Sequence, residues 1–484
     1  MPPINRRSFL RTSSTLAALG VGGAALGAGP TRATQAREQG PPATPPTARV
    51  AKNIIFMVSD GMSTGTLTLA DLAYRQREGR PSHWVSLWSR EGVRRGTATT
   101  YSADAWVTDS AAGGSAWGCG VHVNNGVINI SNEGEQLVPI LVHARQSGKR
   151  TGVVTTTRVT HATPASFVAN VPKRDLWQPI AQQMLERGVD VMLGGGGKHF
   201  PDQLLKQHPG LLVARNKAEL LTAGQGRLLG FFAQDHVPMV FERTPEVPAL
   251  STMTGVALKR LENPAGFVLQ VEGGRVDHAA HNNDAASLIM EQIDFDFALQ
   301  VVLHWMEGRD DTLLIVTTDH ANANPGLTLY GKPGREAFQR INNVKHSFDW
   351  IWEELAKRPA EAQPAAVAEI VEAATGIGLD QDERTLLAMA VSKRRTAAFS
   401  QASVWTSVLG GLLADHLGVA FTGPNHTSDM VEVTAMGPGS ELLTPALDNT
   451  DLHRLMVSAM QLPAPKLLPG MEHRIEPARG VNDD

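Results

Sequence analysis

The first strongly patterned stretch of the chain is Asn53-Ile54-Ile55-Phe56-Met57-Val58, almost wholly apolar and ended by Ser59-Asp60-Gly61. A short apolar run stopped by turn residues predicts a strand buried on both faces, with a polar residue delivered at its C-terminal end. The pattern returns at Thr151–Thr155, Val189–Leu193, Phe267–Val271 and Thr312–Thr317, each followed by polar or glycine-rich turns. Stretches with helical periodicity lie between them, among them Leu176–Arg187 and Ala285–Met306. Strands alternating with helices predict an α/β fold, a mostly parallel central sheet with helices on both faces. Ligands of such sheets bind beyond the carboxyl ends of the strands, so chemistry is expected just after each run.

One region departs from this alternation. Between Leu327 and Ala420 strand signal is sparse, and helices are predicted at Val344–Leu355, Pro364–Ala374, Glu383–Lys393 and about Ser403–Leu417. Asp380 followed by Glu383 is a capping-box start for the third. The organisation read from the sequence is one α/β domain over 51–484 carrying a helical insertion at about 328–420.

The N-terminus changes the picture of where the chain works. Asn5-Arg6-Arg7-Ser8-Phe9-Leu10-Arg11, an Ala/Gly-rich stretch and small residues near Ala33–Ala36 have the pattern of a twin-arginine signal over 1–36. The apolar stretch is short for a membrane span, which needs roughly 20 residues. A Pro-rich segment with Pro41, Pro42, Pro45 and Pro46 reads as a flexible linker over 37–50. The expectation is a periplasmic or secreted protein handed to the twin-arginine export machinery. Cys119 is the sole cysteine, so no intramolecular disulfide forms, and it is expected to act as a small buried apolar residue.

Composition excludes rather than assigns. Apolar residues are 42% and charged residues 19%, enough for a sizeable core, and 44 basic against 48 acidic residues give a net charge of −4. No basic field or long single-sign run is present to draw in nucleic acid, and nucleic-acid binding is not expected.

The predicted strand ends carry an unusual set of side chains. Asp60 follows the first run, Glu272 follows the Phe267 run, and Asp319-His320 follow the Thr312 run. Asp277 and His281 come four residues apart, close enough to face one way across a helical turn. His426 lies in a Gly-Pro-Asn-His-Thr turn before an apolar run at Met430–Ala435. Carboxylates and imidazoles suit zinc, and carboxylate-rich sites suit magnesium. Each of these residues alone is more often a cap or a satisfied polar group; their joint placement on one predicted edge makes the set informative.

Thr108-Asp109-Ser110-Ala111-Ala112 offers a nucleophile. A serine opening a helix meets amides and partial positive charge that favour an anion, and a metal can supply its oxygen as an alkoxide. From this segment alone, Ser110 could equally be a helix cap. Gly-x-Ser-x-Gly is absent, so a hydrolase nucleophile elbow is not supported. Gly194–Gly197 lacks the Lys-Ser/Thr of a P-loop and reads as a turn. Trp350 and Trp352 read as packing residues, and His122, His199, His236, His304 and His346 as surface or satisfied histidines.

Together Asn53–Met62, Thr108–Ala112, Thr155–Pro164, Gln270–His281 and Thr317–Ala321 resemble the motifs of alkaline phosphatases, in family order, with the resemblance running from about Ala51 to Leu462. The resemblance implies a phosphomonoesterase working through a phosphoserine at Ser110, with two zinc ions, one magnesium and an alkaline pH optimum. Asp277, His281 and His426 would bind the first zinc, and Asp60, Asp319 and His320 the second, beside Ser110. Asp60, Thr163 and Glu272 would reach the magnesium. Arg174 matches the arginine that grips two phosphate oxygens, a task suited to a planar guanidinium, and Asp109 would stand behind the site. His161 stands where one bacterial branch has Asp, and His278 where that branch has Lys. His161 is expected to act on the magnesium through water, and both changes to alter magnesium affinity and the pH optimum.

Two rivals remain at this point: a phosphodiesterase or other phosphoryl-transfer enzyme on the same scaffold, and a non-catalytic exported protein that binds metal or phosphate. The resemblance also raises a homodimer, which an insertion at the strand edge could block. Substrates are expected to be phosphate monoesters.

Overall fold

The computed structural model describes residues 50–397 and 400–477. The twin-arginine pattern and all of the Pro-rich segment but Val50 lie outside the described residues. The strands, in chain order, are β1 (Asn53–Val58), β2 (Arg94–Ala98), β3 (Arg150–Arg158), β4 (Val191–Gly195), β5 (Leu212–Ala214), β6 (Leu228–Phe231) and β7 (Phe267–Glu272). There follow β8 (Thr312–Thr317), β9 (Ala321–Asn322), β10 (Gly326–Leu327), β11 (Val419–Ala420), β12 (His426–Thr427), β13 (Val431–Met436) and β14 (Ala446–Leu447). One large sheet takes the order β14-β2-β13-β8-β1-β7-β3-β4-β6-β5, and the remaining strands form two short ribbons.

The sheet is mostly parallel, as the alternation of runs predicts. Its exception is β13, antiparallel to both β8 and β2. An apolar run carries no direction, so this reversal was not readable. Also unforeseen in the large sheet were β2, whose Arg94-Arg95-Gly96-Thr97-Ala98 is too polar, and the short β5, β6 and β14.

Burial on both faces follows from the side-chain alternation of a strand. Ile54, Phe56 and Val58 point into one core with Trp117, Ile180, Met184 and Met456, while Ile55 and Met57 point into another with Leu258, Phe295 and Leu299. Each such side chain contributes roughly 1.5–3 kcal/mol by leaving water. The long helices Leu250–Leu261 and Ala285–Trp305 cover the second face.

Register sets up the site. β1 lies between β7 and β8, and Val58 is level with Glu272 on one side and Thr317 on the other. The chain therefore releases Asp60, Glu272 and Asp319 side by side at one sheet edge. On the far side of β7, Thr155 of β3 is level with Glu272.

The helical segment hangs from this edge. Its base is the β10–β11 ribbon, in which Leu327 pairs with Val419. Helices run over Gly331–Gln339, Phe348–Ala356, Gln363–Thr375, Gln381–Val391 and Trp405–Leu417. The first was hidden by Pro333 and Gly334, which a helix tolerates in its opening turn. The capping box is formed in both directions, Glu383 N–H to Asp380 at 2.9 Å and Asp380 N–H to Glu383 at 2.8 Å. Ile351, Val367, Val371, Leu387 and Leu409 pack with Leu69, Tyr74, Ile289 and Ile293, so this segment shares a core with two helices of the sheet domain. Among the described residues no helix is long and apolar enough to cross a membrane.

Candidate active site

The carboxyl edge of the sheet holds more negative charge than its surroundings can satisfy. Asp60, Glu272 and Asp319 are each at most 1% exposed. Asp60 Oδ1, Asp319 Oδ2 and Glu272 Oε1 are buried without a hydrogen-bond donor. A buried carboxylate oxygen without a partner costs several kcal/mol, which a bound cation offsets. Burial, with Asp319, Asp277 and Glu272 nearby, holds Asp60 well above the ordinary carboxylate range. Burial likewise pushes Glu272 up to about 7, against the hydrogen bond from Thr155.

A second group forms where Arg275–His281 opens as a helix straight after β7. Asp277 and His281 face one way, with His281 Nε2 at 3.3 Å from Asp277 Oδ2. His426 comes from β12, which pairs with β9 so that His426 sits level with Asn322. His281 Nδ1 lies 2.6 Å from the Pro424 carbonyl and His426 Nδ1 lies 2.8 Å from the Thr108 carbonyl. A carbonyl only accepts, so both Nδ1 atoms carry the hydrogen and both Nε2 atoms present lone pairs. Those Nε2 atoms face each other at 3.0 Å, with Asp277 Oδ1 at 3.5 Å from His426 Nε2. Carbonyls that fix ring tautomers in this way are the usual outer support of a metal site.

Three sets of side chains are thus close enough to hold cations: Asp277–His281–His426, Asp60–Asp319–His320 and Asp60–His161–Glu272. The first set offers two imidazoles and one carboxylate, and each of the other two offers two carboxylates and one imidazole, donors that suit divalent cations. Asp60 belongs to two of them. Thr163 Oγ1 donates to Asp60 Oδ2 at 3.4 Å, so Thr163 also borders the third set. The His320 and His426 rings stack with centroids 3.6 Å apart, which brings the first two sets together.

Ser110 is the first residue of the helix Ser110–Cys119 and is capped by Asp109, whose Oδ1 accepts from Ala112 N–H at 2.9 Å. Its Oγ lies 3.4 Å from His320 Nε2. The alternative reading, that Ser110 itself caps the helix, is answered: Asp109 does so. The other oxygen of Asp109 accepts from Gly126 N–H at 2.9 Å and from Arg174 Nη1 at 3.0 Å. Arg174 also donates through Nη2 to His161 Nε2 at 3.1 Å, which leaves the hydrogen on His161 Nδ1. Burial, then Arg174 and His278, hold the His161 ring well below its ordinary pKa. Burial, then His236 and Arg275, do the same for His278.

The candidate site residues read from the sequence lie in this neighbourhood, and the structure adds others. Asn322 donates to Asp277 Oδ1 at 2.7 Å. Gly61 has φ +68, and a Cβ there would lie 2.2 Å from Asp277 Oδ1, so only glycine leaves room for that carboxylate. Asp349, from the helical segment, accepts from Arg275, whose other branch donates to His278 Nδ1 at 2.6 Å. His236, expected to be a surface or satisfied histidine, accepts from Arg158 N–H at 3.3 Å, and its ring also meets His278 edge-on with centroids 4.5 Å apart. Asn322 sits near Asp319-His320 in the sequence, a weak signal. Asp349 and His236 gave none, because their link to the site exists only in three dimensions. Cys119 is a free thiol donating to the Ser115 carbonyl at 3.1 Å.

Fold and cation-binding groups together define a metal-dependent enzyme of the α/β class. Comparison with known proteins narrows this. The family model for alkaline phosphatase matches residues 51–462. Alkaline phosphatase 3 of Bacillus subtilis (strain 168) is 28% identical over 434 residues, covering 85% of this chain and 89% of that protein. The repressible alkaline phosphatase of Saccharomyces cerevisiae is 34% identical over 312 residues, 56% of this chain and 54% of that one. Among solved structures, alkaline phosphatase from Thermus thermophilus superposes with a TM-score of 0.79 at 33% identity, covering 88% of this chain and 94% of that one. The cold-active enzyme of Shewanella sp. gives 0.71 at 30% identity, covering 84% and 99%. The chain belongs to the alkaline phosphatase family and is an enzyme of that class.

Proposed function

We propose that this enzyme hydrolyses phosphate monoesters to an alcohol and inorganic phosphate, through a phosphoserine at Ser110. The observation that carries the reading is Ser110 Oγ at 3.4 Å from His320 Nε2, whose ring stacks on His426 where the His281 and His426 Nε2 lone pairs converge on Asp277. Asp277, His281 and His426 would hold one zinc, and Asp60, Asp319 and His320 a second. Asp60, Thr163 and Glu272 would hold magnesium, with His161 next to it through water. Bound metals would lower the pKa of coordinated hydroxyls and neutralise charge around phosphorus.

The protein's own groups do the rest. Arg174 grips two equatorial phosphate oxygens and is held in place by the carboxylate of Asp109. The N-terminal amides of Ser110–Cys119 face the same anion. Ser110 Oγ attacks phosphorus in line, the ester P–O bond breaks and the alcohol leaves. Water then cleaves the phosphoserine, which returns the Ser110 hydroxyl and releases phosphate. The paired arginines Arg6-Arg7 support export through the twin-arginine machinery, and a chain with a single cysteine suits a route that carries folded proteins.

The test is a comparison of phenyl phosphate with diphenyl phosphate on metal-loaded enzyme. The monoester is expected to be cleaved at least about a hundredfold faster in kcat/KM, a difference near 3 kcal/mol in transition-state binding. A preference for the diester would overturn the reading in favour of a phosphodiesterase.

A further inference from the structure

A cavity of about 230 Å³ begins at Arg174 and His281 and is lined on its outer side by Arg158, Trp177, His236 and His278. None of these outer residues has a part in the hydrolysis derived above, yet their chemistry is consistent. Arg158 N–H donates to His236 Nδ1 at 3.3 Å, and Arg275 donates to His278 Nδ1 at 2.6 Å. Both rings therefore carry their hydrogen on Nε2; Nε2 of His236 lies 3.7 Å from Asp235 Oδ1, and that of His278 is offered as a donor. Arg158 Nε is buried without a hydrogen-bond partner. Its guanidinium lies over the Trp177 ring, 4.3 Å from the centroid, and its Nη1 is 3.3 Å from Asp235.

The acidic side chains nearby are mostly occupied. Asp235 serves Arg158 and Lys198 and faces His236 Nε2, and Asp277 belongs to a set able to hold a cation. Asp175 is the one other acid in the cavity wall, and it is exposed at the rim. Burial, with His161 and Arg275 close by, keeps the His236 ring neutral. The result is a recess rich in N–H donors and poor in acceptors, next to the arginine that holds the reacting phosphoryl group. At ~30 Å³ per water it has room for roughly eight waters, enough for one further tetrahedral anion but not for a long chain.

We infer that this cavity is a subsite for a second phosphate on the leaving group, with Arg158 as its principal contact, so that the preferred substrates carry two phosphates close together. The inference rests on the phosphomonoesterase reading and deepens it. The reaction is unchanged: the P–O bond to the terminal phosphoryl group breaks, the water oxygen goes to phosphorus, and the second phosphate leaves with the departing oxygen.

The experiment compares inorganic pyrophosphate with phenyl phosphate for the metal-loaded wild type, Arg158→Gln and Arg158→Lys. Arg158→Gln should lower kcat/KM for pyrophosphate at least about tenfold, chiefly through KM, with phenyl phosphate within about twofold. Arg158→Lys, which keeps the charge, should recover part of the loss. A parallel fall with both substrates would show a merely structural role and overturn the inference, as would no change with either. If the wild type fails to cleave phenyl phosphate at all, the phosphomonoesterase reading falls first and takes this one with it.

Discussion

His281 Nε2 and His426 Nε2 face each other at 3.0 Å, and the opposite nitrogen of each ring donates to a backbone carbonyl. Two lone pairs held that close repel unless a proton or a metal lies between them, and Asp277 supplies the negative charge that favours the metal. His426→Ala should therefore remove one zinc equivalent while the fold persists. Elemental analysis showing full zinc occupancy in that variant would contradict the ligand set.

Gly61 guards the same carboxylate from the other side. Gly61→Ala would place a methyl group 2.2 Å from Asp277 Oδ1 at a φ of +68. The left-handed backbone alone costs about 1 kcal/mol with a side chain present, and the clash displaces Asp277. Metal content should drop by one ion and activity with it; a variant with wild-type metal content and turnover would refute the close fit.

Ser110→Ala is expected to lose at least about a hundredfold in kcat, since the covalent route goes with the hydroxyl. Its metal content should stay unchanged. Near-wild-type turnover would remove Ser110 from the mechanism.

Asp109 has two separable tasks, capping the Ser110 helix and holding Arg174. Asp109→Asn keeps a capping oxygen but loses the charge, so stability should hold while KM rises. Asp109→Ala should in addition lose about 1 kcal/mol of stability. Equal stability losses in chemical denaturation of the two variants would show that the cap contributes nothing.

Glu272 gives a pH signature in the chelated protein. Burial pushes its folded pKa up to about 7, above the ordinary 4.5, so between those values the folded state binds the extra proton. Stability from this group is fully present below the lower value and is lost as pH rises through the upper one, on the order of 3 kcal/mol. The buried histidines titrate with the opposite slope, so the comparison needs a variant. Metal-free Glu272→Gln should match metal-free wild type at pH 4.5 and exceed its melting temperature by a few degrees at pH 8. A constant difference across that range would contradict the proposed burial cost.

Much of this arrangement is legible in the sequence because buried parallel strands leave an unmistakable trace. β1 and β8 run over the residues the apolar runs mark, and Asp60, Glu272 and Asp319 stand where strands must end. Motif order then links His426 to Asp277 across a long stretch of chain. Pairing between distant loops leaves no such trace. Asn322 reaches Asp277 only through the β9–β12 ribbon, and Asp349 meets Arg275 only because a separate helix packs beside it. The antiparallel β13 was likewise hidden, since apolar periodicity is the same in either direction.

The most direct test of the central claim is phosphate release from phenyl phosphate at pH 9, before chelation, after it, and after zinc and magnesium are added back. The account predicts activity that disappears on chelation and returns with the metals. Activity that survives complete metal removal, or none with the metals fully loaded, would contradict it.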